Sequence, residues 1–438
     1  MDEQQQRIAE DLASLFRGEL RFDDVAREVY STDASIYQIR PLGVAFPIDR
    51  DDLVTLAQYA AEFDIPLTPR GAGTGLAGGA LGRGIVVDFS RHFREIGSLQ
   101  GNTIRVQAGV VRDQLNRYLR RFGRYLAPDP FNSSVTTCGG MLSVDAGGSH
   151  AARVGSMRDH VQSIECVLAD GTVFEAGVHA PQTPPAYEKI VDLLGKLRHL
   201  LKQNSLLIRE RQPSMIRNCS GYHLRTVLDG DELNLPRLLV GSEGTLALFS
   251  AATLHTSPLP AHRGAALILF HDLQRAIQCV NAISNQLPSA CDLLDRRLLS
   301  LIREEDERFS PLIPPAAEAA VLVEQTGYTD REARNRLRQV IEIVREVDST
   351  MLVAKEAYTF DEVEFLWSLP YRVVPLLNRL GGTSRPIPII EDIAVPPTEL
   401  HDFLIKAQRV FQRHWVTASL YAHAASGQVH FRPFLKPP

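Results

Sequence analysis

Between Asp49 and Phe63 the apolar positions Leu53, Leu56, Ala57, Ala60 and Phe63 fall three or four apart, which puts them on one face of a helix. Asp49, Asp51 and Asp52 stand at its start, where carboxylates complement the helix dipole. Residues 1–30 carry an amphipathic helical pattern, and 30–47 an extended, turn-rich entry. Strand-length apolar runs follow at Ile65–Thr68, Ile85–Phe89, Thr103–Ala108 and Val161–Leu168, with Val110–Phe122 helical and Asp170-Gly171 a hairpin turn into Thr172–Glu175. Leu238–Val240 reads as a short apolar strand. Pro258-Leu259-Pro260 marks a boundary, and Pro181–Pro185 another exposed connection.

Beyond the boundary the order changes. Strands at Ala265–Phe270, near Leu293 and at Ala319–Gln325 alternate with helices at Leu273–Gln286 and Asp330–Val347. Trp415–Ala425 and Gln428–Phe434 close the chain as two strands joined by Ser426-Gly427. The expected class is α+β: a helical segment 1–29, a domain 30–258 with subdomains 30–100 and 101–258, and a domain 259–438 with an antiparallel sheet. Trp415 and the phenylalanines of this last domain are expected in its core, and the arginines of 331–345 on a solvated helix face.

Composition narrows the chemistry. The 438 residues carry 47 Lys and Arg against 52 Asp and Glu, with no basic block, so a nucleic-acid partner is not expected. No apolar run reaches membrane-spanning length, and the acidic start Met1-Asp2-Glu3 leads us to expect no secretory signal. Five scattered cysteines without Cys-x-x-Cys point to a reducing cytoplasm and to no iron–sulfur cluster within this chain.

Gly73-Thr74-Gly75-Leu76-Ala77-Gly78 matches G-x-G-x-x-G, but a dinucleotide fingerprint needs a helix directly after it. Here more glycines follow and then a strand, so a Rossmann site is not expected. A P-loop is excluded too, because no Gly-Lys-Ser/Thr closes the run. Pro69–Gly75 instead has the composition of an anion nest, with Thr74 adding a hydroxyl and Arg70 a charge; alone it could equally be a surface turn. Two more such loops, Thr136–Met141 after Pro128-Asp129-Pro130 and Gly241–Leu246, suggest an extended phosphate-bearing ligand. Cys138 beside the second loop reads as a small packing residue.

In order, "PLTPRGAGTGLAGG", "VQAGVV", "APDP", "TTCGGM", "RNCSGYHL" and "LVGSEGTL" resemble the FAD domain of the vanillyl-alcohol-oxidase and p-cresol-methylhydroxylase superfamily over about residues 30–260. The resemblance implies the two-subdomain FAD-binding fold of that superfamily. It implies that Arg70, Gly71, Ala72, Gly73, Thr74 and Gly75 wrap the FAD pyrophosphate, and that Pro128 and Asp129 belong to the site. Thr137, Gly139, Gly140, Gly147, Gly148 and Ser149 would line the flavin, with Glu243 near the adenine half. Some relatives attach the flavin through a histidine in the first loop; Thr74 stands there, so the FAD is expected to be non-covalent.

With a two-residue turn at Ser426-Gly427, His423 would face His430, and both imidazoles would emerge on one side of the hairpin beside Tyr421 and Arg432. That is half of a metal site suited to Zn, Mn or Fe. "EDIAVP" from Glu391 and "YAHAASGQVHFRP" from Tyr421 resemble the cap domain of FAD-linked D-2-hydroxy-acid dehydrogenases, the group of D-lactate dehydrogenase, glycolate oxidase subunit and the long bacterial FAD/iron–sulfur D-2-hydroxyglutarate dehydrogenases. The resemblance implies that His423 and His430 hold a divalent ion that binds a small 2-hydroxy acid. It further implies that flavin takes the hydride and that electrons pass to an iron–sulfur or quinone acceptor. A substrate-clamping Arg three residues after the cap Trp is replaced by Pro370, with Arg372 or Arg385 as the candidates in its stead. The family's third metal ligand and catalytic His lie beyond Pro438, so the cap is expected to be C-terminally incomplete and the chain a fragment, a split subunit or a catalytically incomplete relative.

Overall fold

The computed structural model describes residues 1–177, 187–213, 215–218 and 220–436, and the backbone alone at Tyr187 and Asp392. Pro181–Pro185 and Cys219 lie outside the described residues. The contacts divide the chain into two units. One comprises Met1–Ala146, Ser156–Ser214 and Asn218–Pro258; the other comprises Leu259–Pro438 together with the short segments Gly147–Gly155 and Met215–Arg217.

The first unit is built on two larger sheets. Strands β1 (Glu19–Arg21), β2 (Gly43–Phe46), β3 (Leu67–Arg70) and β4 (Ile85–Asp88) run in the order β1-β2-β4-β3, parallel except for β1. The Arg50–Glu62 helix packs Leu53, Leu56, Ala57 and Ala60 into the core of this sheet, and Asp49 caps it by accepting from the amides of Asp51 and Asp52. Residues 1–30 hold two helices, Glu3–Leu12 and Asp24–Val29, with β1 between them. The Glu3–Leu12 helix stops before Gly18, where a Cβ would lie 2.2 Å from the Phe46 carbonyl oxygen, and β1 then pairs with β2. Close approach of two backbones overrides the helical pattern there.

Strands β5 (Ile96–Gln100), β6 (Thr103–Gln107), β7 (Val161–Val167), β8 (Val173–Ala176) and β9 (Leu248–His255) form an antiparallel sheet in the order β5-β6-β9-β7-β8. The segment read as an apolar strand at Leu238–Val240 belongs instead to a short helix, Leu235–Leu239. Pro236 in its first turn has a preset φ that suits helix initiation, and a three-residue apolar run carries no period to reveal it.

In the second unit one antiparallel sheet carries the architecture. Its strands are β10 (His262–Phe270), β11 (Ala290–Asp295), β12 (Ala319–Gly327), β13 (Leu352–Ala357), β14 (Arg385–Pro386), β15 (Ile390–Ala394), β16 (Ala418–His423) and β17 (Gln428–Leu435). They run β13-β10-β12-β11-β16-β17-β14, and β15 also pairs with β17. Alternation assigns the faces. Ile268, Leu293, Val321, Val323, Leu420, Ala422, Val429 and Phe431 share one core with the Leu273–Ile283, Asp330–Val347 and Leu400–Arg413 helices. The residues between them, among them Glu324, Asp292, Tyr421, His423, His430 and Arg432, therefore point to the other face. Trp415 is not in the core: it is 95% exposed with φ +57°, at the left-handed position where the Leu400–Arg413 helix ends. Phe360 is exposed as well, whereas Phe270 and Phe309 are buried.

Candidate active site

The three glycine loops converge within the first unit. The first leaves β3 at Arg70, whose guanidinium donates to the Thr32 carbonyl at 2.9 Å and lies 5.1 Å from the Tyr30 ring centre. A Cβ on Gly71 would meet Thr137 Oγ1 at 2.2 Å, and Thr74 Oγ1 lies 3.4 Å from Thr136 Oγ1, so the first and second loops touch. Gly73 takes φ +65° and packs against the Arg70 guanidinium, whereas Gly75 faces open space. Ala72 sits between them in this turn.

The second loop is less irregular than its composition suggests. Thr137 caps a short helix, Cys138–Ser143, by accepting from the Gly140 amide, and Gly139 donates to the Ala108 carbonyl at 2.7 Å. Arg112 ties this loop to Pro128-Asp129, because its side chain donates to the Pro128 carbonyl and its amide to that of Thr136. Burial pushes the Cys138 thiol up to about 12, which keeps it an inert packing group. The third loop rests on the second: Gly241 and Glu243 donate to the carbonyls of Leu142 and Ser143, and a Cβ on Gly244 would meet Pro69 at 2.7 Å. Glu243 itself has φ +52°. Gly147, Gly148 and Ser149 belong to the second unit.

The other face of the second unit's sheet carries a row of buried charge. On β16 and β17 the register pairs His423 with Gln428 and Tyr421 with His430, so His423 does not face His430. The loop has four residues rather than two. Ala424 and Ala425 donate to the Cys291 carbonyl on β11, Ser426 donates back to His423, and Gly427 takes φ +74° where a Cβ would lie 1.9 Å from the Val395 carbonyl oxygen. A shift of two residues keeps the side-chain parity, so both imidazoles still share one face. Their ring centres are 5.5 Å apart and nearly perpendicular.

Each imidazole is held at Nδ1 by a carboxylate. Asp292 on β11, fully buried, lies 3.0 Å from His423 Nδ1 and also accepts from the hydroxyls of Tyr421 and Ser149, the latter at 2.5 Å. Glu391 on β15 lies 2.9 Å from His430 Nδ1 and accepts from Arg432 Nε at 2.9 Å. Arg432 reaches on to Asn378 of the Phe360–Arg379 helix.

Two strands away Glu324 accepts from both arms of Arg263, at 3.2 and 2.8 Å, and from the Trp367 indole at 2.6 Å, and lies 3.3 Å from His150 Nε2. Arg263 also pairs with Glu364 at 2.6 Å. Burial opposes the charge on Glu324, but Arg263 and His150 outweigh it and hold the carboxyl well below the ordinary range. The guanidinium of Arg372 is paired with Asp306 at 2.8 Å. Arg385 is exposed on β14, beside Leu435.

Sequence reading had not singled out Asp292, Glu324, Arg263 or His150. The available signal was a lone acid inside an apolar strand, Cys-Asp-Leu-Leu and Val-Leu-Val-Glu, which a buried strand carries only when the acid is partnered. Among the described residues no group of three or more His, Cys, Asp and Glu is arranged to hold a metal ion.

The loops and the sheet define a flavoprotein of the FAD-linked oxidase type. Residues 41–177 match the FAD binding domain family and residues 259–438 the C-terminal domain of FAD linked oxidases, and the chain belongs to this superfamily, that of the p-cresol-methylhydroxylase type. The D-2-hydroxyglutarate dehydrogenase of Pantoea ananatis is 31% identical to it over 96% of this chain and 43% of that protein. Glycolate oxidase subunit GlcD of Bacillus subtilis is 27% identical, over 94% of this chain and 78% of that protein. The D-lactate dehydrogenase of Archaeoglobus fulgidus is 26% identical, over 90% and 75%. The chain thus spans less than half the length of the D-2-hydroxyglutarate dehydrogenases it matches. An alkyldihydroxyacetonephosphate synthase shares the fold, with a TM-score of 0.70 and 16% identity over 98% of this chain and 80% of that one. No helix among the described residues is long and apolar enough to cross a membrane.

Proposed function

We propose that this chain oxidises a small D-2-hydroxy acid, of the D-2-hydroxyglutarate, D-lactate or glycolate class, to the 2-oxo acid. The observation that carries this reading is the pair of imidazoles on one face of the cap sheet, each anchored at Nδ1 by a buried or nearly buried carboxylate. Carboxylate–histidine pairs of this kind are how proteins present Nε2 to a divalent ion. The names of the relatives support the substrate class.

When bound, non-covalent FAD would supply the acceptor for the C2 hydrogen as hydride, and a divalent ion (Zn, Mn or Fe) would supply Lewis acidity at the C2 hydroxyl. The residues do the rest. Arg70–Gly75, Pro128-Asp129, Thr137–Gly140 and Glu243 would hold the cofactor. Gly75, with nothing within 4 Å of where its Cβ would be, leaves room for close backbone approach to such a body. His423 and His430 would provide two nitrogen ligands from one face of the sheet. Arg372 is committed to Asp306, which favours Arg385 as the group that meets the substrate carboxylate. An iron–sulfur or quinone acceptor would reoxidise the flavin. Buried, unpaired Cys138, Cys166, Cys279 and Cys291 are consistent with a cytoplasmic setting. A second reading, an FAD-binding but catalytically incomplete subunit, is favoured by the pairing of Arg372 with Asp306.

Anaerobic mixing of FAD-loaded protein with D-2-hydroxyglutarate, D-lactate and glycolate in turn separates the two. Bleaching of the flavin band by one of them is expected; no bleaching by any of them leaves the second reading. Acid precipitation should release the flavin into the supernatant, and a yellow pellet would contradict non-covalent binding.

A further inference from the structure

Asp292 is fully buried in the middle of the sheet, yet three donors from three parts of the chain converge on it: Ser149 Oγ, Tyr421 Oη and His423 Nδ1. Ser149 comes from Gly147–Gly155, a segment that leaves the first unit's chain path, joins the second unit and returns. Tyr421 and His423 are neighbours on the same face of β16, and Asp292 sits opposite His423 in the β11–β16 register. Both hydroxyls donate to one oxygen of the buried carboxylate, and its other oxygen lies against the imidazole. The neutral ring then carries its hydrogen on Nδ1 and its lone pair on Nε2. Glu391 stands in the same relation to His430, with Arg432 as its second donor.

We infer that Asp292 is a positioning residue that fixes the tautomer and ring orientation of His423 while anchoring Ser149 to the same sheet, and that Glu391 fixes the tautomer of His430. One carboxylate thereby ties the Gly-Gly-Ser segment to the imidazole pair. The inference rests on the proposed role of the two histidines as ligands, but its core, the tautomer, stands on the hydrogen bonds alone. An amide at position 292 has no charge to hold the Nδ1 hydrogen and can offer N–H to the ring instead, which turns the lone pair inward.

Two measurements test this. In metal-free, FAD-loaded protein with 15N-labelled histidines at mildly alkaline pH, His423 and His430, assigned by loss of their signals in His423→Gln and His430→Gln, should both show the Nδ1–H tautomer. The Nε2–H tautomer at His423 overturns the role of Asp292, and at His430 that of Glu391. Titration with Co2+, read from its visible bands, should then show binding about 10–100-fold weaker in Asp292→Asn than in the wild type, the usual cost of losing such a partner, with FAD content unchanged. Equal affinity in a folded Asp292→Asn overturns the inference. Wild-type Co2+ binding that survives His423→Ala sinks the ligand reading instead, and the tautomer measurement decides the inference without it. The same measurement decides if Asp292→Asn does not fold.

Discussion

Glu324→Gln is expected to lower the stability of the second unit by about 3–5 kcal/mol at neutral pH, the cost of leaving a buried charge without its main partner. The glutamate receives both arms of Arg263, the Trp367 indole and His150 while 1% exposed, and the amide would leave Arg263 with Glu364 alone. The pH dependence follows from the direction of the shift. Its carboxyl is held below the ordinary value of 4.5 in the folded chain, so its contribution is complete above that value and is lost as the pH falls toward the folded pKa. Asp295 works in the opposite sense: burial pushes its carboxyl up to about 6, so what it contributes is complete below its ordinary value of 3.8 and fades as the pH rises through about 6. That term is common to wild type and variant and cancels in their difference. Urea unfolding of both proteins should therefore show a gap that is widest at neutral pH and narrows below about 4.5. A gap that does not change with pH would mean that the Glu324 carboxylate is not held as a charged group.

Much of the framework was legible because it rests on local pattern. Helices at Arg50–Glu62 and Asp330–Val347, and the antiparallel order of strands after Pro258, follow from apolar spacing and from carboxylates or hydroxyls at their starts. The solvated arginines of the second of these helices, Arg334 and Arg336, pair within the helix with Asp330 and Glu332. The FAD-domain motifs were legible for a different reason, since glycines in fixed order mark where loops must approach one another. What was not legible depends on partners far along the chain. The hairpin loop is four residues long because Ala424 and Ala425 turn their amides to Cys291, about 130 positions away, and nothing local specifies that. Trp415 reads as core by its side chain, but its backbone position at a helix end sends it to solvent. Asp292 and Glu324 gain meaning only once the sheet brings Ser149, His150, Arg263 and Tyr421 to them. The histidine pair survived a wrong register because the error was an even number of residues.

His423→Ala should reduce the rate at which a 2-hydroxy acid bleaches the flavin by at least about 100-fold, or roughly 3 kcal/mol of transition-state stabilisation at 1.36 kcal/mol per tenfold. The fold should tolerate the change. Asp292 would still accept from Tyr421 and Ser149, so the buried carboxylate is not orphaned, and the cost in stability should stay near about 1–2 kcal/mol. His430→Ala is buffered in the same way, because Glu391 keeps Arg432. This separates the two roles a buried histidine can have. A structural imidazole would lose stability on truncation and leave the reduction rate of the folded fraction unchanged. An imidazole that meets the substrate's hydroxyl, directly or through an ion, loses rate in the folded fraction as well, at constant FAD content. Stopped-flow reduction of the FAD-loaded variants, read beside their unfolding midpoints, distinguishes the outcomes. Reduction at the wild-type rate in His423→Ala would remove the histidine pair from the chemistry and leave the sheet's polar face as a purely structural network.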